Sequence, residues 1–418
     1  MVHGIGKNRG FAVRFVKTLY FDNAATSWPK PKSVLKSMRS FFLKGGGNPG
    51  RSGHGRSIGA VRVAVRTREL LARLFNVNDS SRIVFTKNAT EALNIALYGL
   101  ASEGGHIVTS SMEHNSVMRP LTDLRARGCE VTAVRARADG SVDTGDVAGA
   151  FRKNTRFVVM THASNVTGAV NDIAEVGELC RERGVPLLVD AAQTAGCVPI
   201  DVQAMHIDFL AFSGHKGLMG PQGTGGLYIG DDRLKKPIMR GGTGSLSDRE
   251  EQPDFFPDRF ESGTLNIIGI AGLGSGVEYV LNRGIGALAL HEGALLKLFL
   301  RELGGDERYS LYGPCAGDPR LDIGDPGPGR GPYVRQTGVL SLNIRGLSPS
   351  RVGQVLDREY GIQTRIGLHC APSAHRTIGT FPDGTVRLSW GPFTTERDVR
   401  RVVRALHAVA GEGGAGGS

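Results

Sequence analysis

A chain of 418 residues is long enough for two domains, because single hydrophobic cores stop growing at roughly 250 to 300 residues. Lys and Arg number 51 against 40 Asp and Glu, a net charge of +11, yet the arginines are scattered without dense runs, which argues against a nucleic-acid-binding face. No apolar run approaches the roughly 20 residues needed to cross a bilayer, the first seventeen residues hold Lys7, Arg9, Arg14 and Lys17 without a signal-type apolar core, and the cysteines (Cys129, Cys180, Cys197, Cys315, Cys370) show no metal-type pairing, so free thiols in a cytoplasmic protein with no membrane partner are expected.

From Arg82 onward, short apolar runs alternate with helical patterns. Arg82 to Thr86 reads as a strand and Asn88 to Leu100 as a helix, then Gly105 to Ser110 and Ser116 to Arg127, Cys129 to Arg135 and Asp143 to Phe151, Arg156 to His162 and Ile173 to Arg183, and finally the strand Val185 to Asp190. Repeated βα units predict an α/β fold with a mostly parallel sheet covered by helices. Ligands of such sheets sit beyond the strand C-termini, where Asn88-Ala89-Thr90, His114, Asn165 and Asp190 all fall. Asp208 to Phe212 reads as a further strand, followed by a small-residue loop from Gly214 to Gly226. Composition shifts near Gly284, and a Gly/Pro-rich segment from Gly313 to Pro332 carries no regular structure. Beyond it come a strand from Gly338 to Ile344, a helix from Ser348 to Tyr360, a strand from Thr385 to Trp390 and a helix from Thr395 to Val409, then a glycine-rich tail expected to be disordered.

The chemistry is concentrated in a few places. Phe212-Ser213-Gly214-His215-Lys216-Gly217 follows Val189-Asp190-Ala191-Ala192-Gln193, with Lys216 twenty-six positions after Asp190. A lysine that holds pyridoxal phosphate as a Schiff base needs a carboxylate that keeps the pyridine nitrogen protonated, and Lys216 and Asp190 suit these two roles. Asn88-Ala89-Thr90 opens a helix after a strand, where free amides and a hydroxyl bind an anion; Asn88 with Glu91 equally reads as an ordinary capping box. His114 is placed to stack on a ring and move protons, or simply to cap a helix. Cys370 has Arg365, His369 and His375 nearby, and positive charge favours a nucleophilic thiolate. Cys129 and Cys180 read as inert core thiols, and Cys315 is the rival nucleophile. Arg387 alternates with apolar neighbours on a strand, where a guanidinium facing the site grips a carboxylate with two bonds.

Together these residues resemble the class V aminotransferase family of fold-type I pyridoxal phosphate enzymes, in its cysteine desulfurase and selenocysteine lyase branch. The likeness spans Tyr20 to Val409. Tyr20-Phe21-Asp22-Asn23-Ala24-Ala25-Thr26 and Phe260-Glu261-Ser262-Gly263-Thr264-Leu265-Asn266 resemble family segments, and Arg-x-Gly-x-His-Cys at Arg365 to Cys370 is similar to the short-loop, SufS-like group. The resemblance implies a seven-stranded, mostly parallel large domain (46–283), a smaller α+β C-terminal domain (284–410) carrying the cysteine loop, an N-terminal segment (18–45) packing on the small domain, a disordered extension (1–17) and a disordered tail (411–418).

It also implies roles. Lys216 carries the cofactor and shuttles protons, Asp190 pairs with the pyridine nitrogen, Gln193 bonds the phenolic oxygen and His114 stacks on the ring. Ala89, Thr90, Ser213 and His215 hold the phosphate, with Thr264 reaching it from the other subunit of a homodimer. Asn165 and Arg387 bind the substrate carboxylate, with Arg365 and His54 nearby. Cys370 takes sulfur from L-cysteine as a persulfide, leaving alanine, for a protein acceptor. No metal is implied. Selenocysteine lyase, cysteine sulfinate desulfinase, another class V aminotransferase or epimerase, and a cofactor-free scaffold are the competing readings. Arg240, where the short-loop enzymes usually place an acidic residue, and the loop between Cys370 and Arg387 depart from the family pattern.

Overall fold

A computed structural model of the chain describes residues 18–49, 53–314 and 334–415. The N-terminal extension, Cys315 and nearly all of the Gly/Pro-rich segment therefore lie outside the described residues.

The chain opens with strand β1 (Leu19–Tyr20) and helices α1 (Lys32–Ser40) and α2 (Gly55–Phe75). The alternating units follow as β2 (Ile83–Thr86), α3 (Ala89–Leu100), β3 (His106–Ser110), α4 (Asn115–Ala126), β4 (Glu130–Val134), α5 (Thr144–Gly149), β5 (Thr155–Thr161), α6 (Ile173–Glu182) and β6 (Leu187–Asp190). Strands β7 (Phe209–Ser213) and β8 (Gly225–Ile229) close this part. The remainder comprises α7 (Ile267–Arg283), α8 (Ile285–Leu303), β9 (Tyr309–Tyr312), β10 (Val339–Ile344), α9 (Pro349–Tyr360), β11 (Ile362–Gln363), β12 (Arg365–Gly367), α10 (Pro372–Thr377), β13 (Thr385–Ser389) and α11 (Glu396–Ala415).

Seven strands form one sheet in the order β2-β8-β7-β6-β5-β3-β4, parallel throughout except for β8, which runs antiparallel to both its neighbours. The period-2 alternation of strands divides their side chains between two cores. Val158, Met160, Val189, Leu210 and Phe212 point to the face covered by α2, α6 and α7. Phe157, Val159, Leu188, Phe209 and Ala211 point to the face covered by α3 and α4. Burial on both faces explains why these strands are continuously apolar. Helix α2, which the strand-helix alternation does not announce, buries Ala60, Ala64, Leu71 and Phe75 at helical spacing while its arginines face outward or pair.

A second sheet, β12-β13-β10-β9, is antiparallel and packs on α8, α9 and α11 around Leu296, Leu340, Leu356, Leu388 and Leu406. Strand β1 pairs in parallel with β11, and Leu19 and Phe21 enter this second core. Helix α1 instead lies on α7, with Ser37 Oγ donating to Ala271 O at 2.9 Å. The segment before residue 45 thus contacts both bodies. Gly284 separates α7 from α8 with φ of 79°, a backbone conformation cheap only for glycine.

One expectation needs correction. Helix α11 continues to Ala415, so 411–415 prolong it instead of starting a disordered tail. Each of Gly411, Gly413 and Gly414 costs about 1 kcal/mol relative to alanine, against which an established helix adds one hydrogen bond per residue without a new nucleus. Among the described residues no helix is long and apolar enough to cross a membrane.

Candidate active site

The C-terminal ends of β3, β5, β6 and β7 face the second body across a cavity of about 300 Å³. At one end lies an anion-type donor set. The side chain of Asn88 caps α3 by accepting from Glu91 N at 2.9 Å, but the Glu91 carboxylate accepts from Lys87 N at 2.6 Å instead of closing a capping box on Asn88 N, and Ala89 and Thr90 line the cavity. Ala89 N donates to Ser213 Oγ at 3.3 Å, and Thr90 Oγ1 lies 2.8 Å from Ser116 Oγ. His215 also lines this end, and its buried Nδ1 has no partner. Burial, with the Lys216 and Lys30 charges, pushes His215 down to about 4, leaving it neutral. Strand β8 comes so close here that a Cβ on Gly225 would sit 2.8 Å from the Asn88 backbone.

Beside this end stand the amine and the carboxylate. Lys216 is half-buried and lines the cavity, and desolvation of its amine pulls it down to about 8 against the opposing charge of Asp190. Asp190 accepts from Ala192 N at 2.9 Å, and burial raises its pKa. Gln193 lines the same cavity, its Nε2 donating to Ala24 O at 3.1 Å. His114 both caps and lines: its Nδ1 accepts from Ser116 N at 3.0 Å at the start of α4. A backbone N–H can only donate, so Nδ1 is the acceptor and Nε2 carries the proton of the neutral ring. Burial, reinforced by Lys216, pushes His114 down to about 4.

Directly beneath His114, Glu113 is fully buried and accepts from Ser110 Oγ at 2.6 Å and Thr161 N at 2.9 Å. Burial raises it to about 8, with those two bonds opposing.

The third wall comes from the second body. Arg387 on β13 is 2% exposed, where strand arginines are usually surface residues. It donates to Asp22 Oδ1 at 2.8 Å and to Asn165 O at 2.9 Å, and its Nε is buried without a partner. Asn165 Nδ2 donates to His369 O at 2.7 Å. Arg365, on edge strand β12, is exposed and lines the mouth, as does exposed Cys370.

Cys370 occupies an unusual turn. Ala371 N donates to Leu368 O at 2.8 Å, and the two central residues both have positive φ, 50° for His369 and 59° for Cys370. This is the φ pattern of a type I′ turn, which ordinarily takes Asn or Gly. Left-handed backbone costs an L-residue roughly 1–2 kcal/mol, so the surroundings must hold it. The cations expected around Cys370 are fewer than its neighbours in sequence imply: burial pushes His369 down to about 2 and His375 to about 4. Both rings are neutral; Arg365 and Arg387 share the cavity with Cys370, and Lys216 interacts with it electrostatically.

Two predicted residues are not brought to this cavity. His54 is exposed and caps α2, its Nδ1 accepting from Ser57 N at 3.3 Å; its imidazole is used locally. Thr264 is exposed in the loop before α7 and does not line its own chain's cavity. Cys129 and Cys180 are buried and Cys197 half-buried, with the Cys180 thiol pushed up to about 12. Three residues at the site escaped the sequence reading, Ser116, Asp22 and Glu113, while His369 was read only as a charge beside Cys370. Asp22 stood inside a recognised segment, whereas nothing local distinguishes Ser116 or Glu113 or gives His369 a task beyond its charge.

Comparison with known proteins agrees with this geometry. The family model described as Aminotransferase class-V matches residues 19–324 and 328–402. A probable cysteine desulfurase of Methanothermobacter thermautotrophicus is 36% identical over 405 residues, covering 94% of this chain and 95% of that one. A cysteine desulfurase of Dickeya dadantii is 32% identical over 400 residues, covering 93% and 91%. Among solved structures, the apo cysteine desulfurase of Thermococcus onnurineus NA1 superposes with a TM-score of 0.85 at 32% identity, covering 94% and 95%. The Escherichia coli cysteine desulfurase CsdA, in its S-sulfonic acid form, gives 0.80 at 27% identity, covering 94% of each. With a family match across nearly its whole length and a relative above one-third identity, the chain belongs to the class V aminotransferase family.

Proposed function

We propose that the chain is a cytoplasmic, homodimeric L-cysteine desulfurase that converts L-cysteine to L-alanine and carries the sulfur on Cys370 for a protein acceptor. The observation that carries this reading is the meeting, in one cavity, of a desolvated amine, a buried carboxylate, an anion-type donor set and an exposed thiol.

The family's cofactor is pyridoxal 5′-phosphate, and the donor set fits it. Thr90, Ser213, His215 and the start of α3 suit the phosphate, Asp190 the pyridine nitrogen, and Gln193 the phenolic oxygen. The unpartnered Nδ1 of His215 is a buried polar atom left for a ligand. When bound, the cofactor withdraws electron density from the substrate's Cα. Asp190 holds the proton at the ring nitrogen. Lys216, near 8, takes the Cα proton and returns it. His114, a neutral imidazole with its proton on Nε2, lines the same cavity and would face the cofactor's ring. Arg387 and Asn165 bind the substrate carboxylate and orient the sulfur toward Cys370, with Arg365 at the mouth. Cys370 Sγ attacks that sulfur as the thiolate, an S–S bond forms as the substrate's Cβ–S bond breaks, the electron pair of that bond stays with carbon, Cβ takes up a proton, and alanine leaves.

Exposed apolar residues on α1 (Leu35), just after it (Phe42), on α2 (Val61, Val65) and in the 238–255 stretch (Met239, Phe255) support a second copy covering them. In that dimer Thr264 reaches the phosphate of the neighbouring subunit.

Anaerobic turnover of cofactor-loaded protein with L-cysteine and a reductant, scoring alanine and sulfide together, tests the reading. Equimolar products that vanish in Cys370→Ala, with the cofactor's visible band retained, are expected. A loaded protein that forms no alanine would overturn it and make selenocysteine and cysteine sulfinate the substrates to try.

A further inference from the structure

The residue before the exposed thiol has no charge to offer, yet it is 5% exposed and tied into a chain of hydroxyls. Ser341 Oγ donates to Val166 O at 2.7 Å. Thr385 Oγ1 stands 3.0 Å from Ser341 Oγ, and His369 Nε2 stands 3.0 Å from Thr385 Oγ1. Each hydroxyl has one proton. The Ser341 proton is used on the carbonyl, so Thr385 must give its own to Ser341, and Thr385 can then only accept from His369. The carbonyl at the end of the chain therefore fixes His369 as the tautomer with its proton on Nε2. The bare Nδ1 is buried with no partner.

The same turn is gripped through its backbone. Asn165 Nδ2 donates to His369 O at 2.7 Å and Asn115 N to Cys370 O at 2.8 Å. The grips come from the loop after β5, the start of α4, β10 and β13, and so from both bodies that wall the cavity. His369 is the one side chain that reaches from the turn into the hydroxyl chain, while its neighbour Cys370 is exposed.

We propose that His369 is a positioning residue: its Nε2–H, anchored through Thr385 and Ser341 to Val166 O, holds the left-handed turn that presents Cys370 to the substrate sulfur, and it does not act as the thiol's proton acceptor. This rests on the desulfurase reading for the step it serves, although the turn itself can be tested without turnover. Burial first, then Arg387, His375 and Arg365, oppose its protonation, while a hydrogen bond to the Thr385 backbone favours it and the balance leaves the ring neutral.

The test compares the cofactor-loaded wild type with His369→Ala, His369→Gln, Thr385→Val and the His369→Ala/Thr385→Val double variant. Two readouts are taken: single-turnover alanine formation from L-cysteine, and the rate of iodoacetamide alkylation of Cys370 against pH, followed by mass spectrometry. His369→Ala and Thr385→Val are each expected to slow alanine formation about ten-fold, the scale of one lost buried hydrogen bond, with half-saturating cysteine and the cofactor's band unchanged. The double variant should be no slower than His369→Ala, since both cut one chain. His369→Gln keeps a side-chain N–H and should recover most of the rate. Both single variants should raise alkylation about three-fold as the turn loosens, the scale of a fraction of one such bond, with the thiol's titration midpoint unmoved.

Wild-type behaviour of Thr385→Val beside an impaired His369→Ala would overturn the proposal, as would additive losses. A titration midpoint displaced only in the His369 variants would overturn it in favour of proton transfer. If even the wild type makes no alanine, the desulfurase reading fails while alkylation still decides the turn. Thr385→Val, an isosteric change on a strand, keeps the test alive should His369→Ala fail to fold.

Discussion

The guanidinium of Arg387 meets the carboxylate of Asp22 at 2.8 Å, joining positions 365 residues apart at the wall of the cavity. Their side chains are 3% and 19% exposed. The pair orients Arg387 before any substrate arrives and relieves a buried charge that would otherwise be costly. Arg387→Ala is expected to raise the KM for L-cysteine about 10- to 100-fold, the scale of one or two charge-assisted bonds. Asp22→Asn should instead destabilise the protein by about 1–3 kcal/mol, less than for a fully buried pair. Steady-state kinetics and urea denaturation separate the two effects, and an unchanged KM in Arg387→Ala would remove the arginine from substrate binding.

Lys216 supplies a pH dependence. Burial disfavours its ammonium and Asp190 favours it, with the balance near 8. The free amine therefore accumulates as pH rises through about 8, and capture of pyridoxal phosphate by cofactor-free protein should accelerate up to that point and then level. Asp190→Asn removes the opposing charge, so the midpoint should move to lower pH. Absorbance-monitored loading at a series of pH values shows the direction, and a move upward would contradict it.

Ser116 links two parts of the site. Its hydroxyl lies 2.8 Å from Thr90 Oγ1 and 2.7 Å from His114 Nδ1. Ser116→Ala should weaken cofactor retention about 3- to 10-fold, the scale of a net hydrogen bond near 1 kcal/mol. The backbone N–H of residue 116 still fixes the His114 tautomer, so kcat at saturating cofactor should fall less than two-fold, well under the loss from one such bond. Equilibrium dialysis and kinetics at saturating cofactor measure the two quantities.

Glu113 makes stability depend on pH with a definite sign. Its folded pKa, about 8, lies above the unfolded value, so the folded chain binds the extra proton between them. Its contribution is fully present below the unfolded pKa and is lost as pH rises through about 8. Glu292, raised by burial to about 7, acts in the same direction. The melting temperature should fall across this window in the wild type and fall less in Glu113→Gln. Parallel slopes in the two proteins would rule out a protonated Glu113.

Much of the architecture is legible in local pattern. The alternation from Arg82 to Asp190 implies parallel strands because period-2 and period-3.6 repeats reflect which faces are buried, and burial on two faces leaves continuous apolar strands. The ordered motif from Asp190 to Lys216 implies a shared site because residues at the ends of neighbouring parallel strands must converge. The antiparallel entry of β8 between β2 and β7 is not written in that pattern, since small residues that allow close approach look like a loop in sequence.

The chemistry on offer is written in the order of residues: the amine, the carboxylate, the thiol and the alternating units that carry them. Only the tertiary structure decided which groups are charged and what holds them. His369 and His375 read as cations beside Cys370, but burial makes them neutral, because desolvation depends on chain segments far away. Asp22 finds Arg387, and His369 finds Thr385 and Ser341, only when separate elements meet. Periodicity records the direction a side chain faces; its partner, and so its protonation and geometry, is set by packing across the fold.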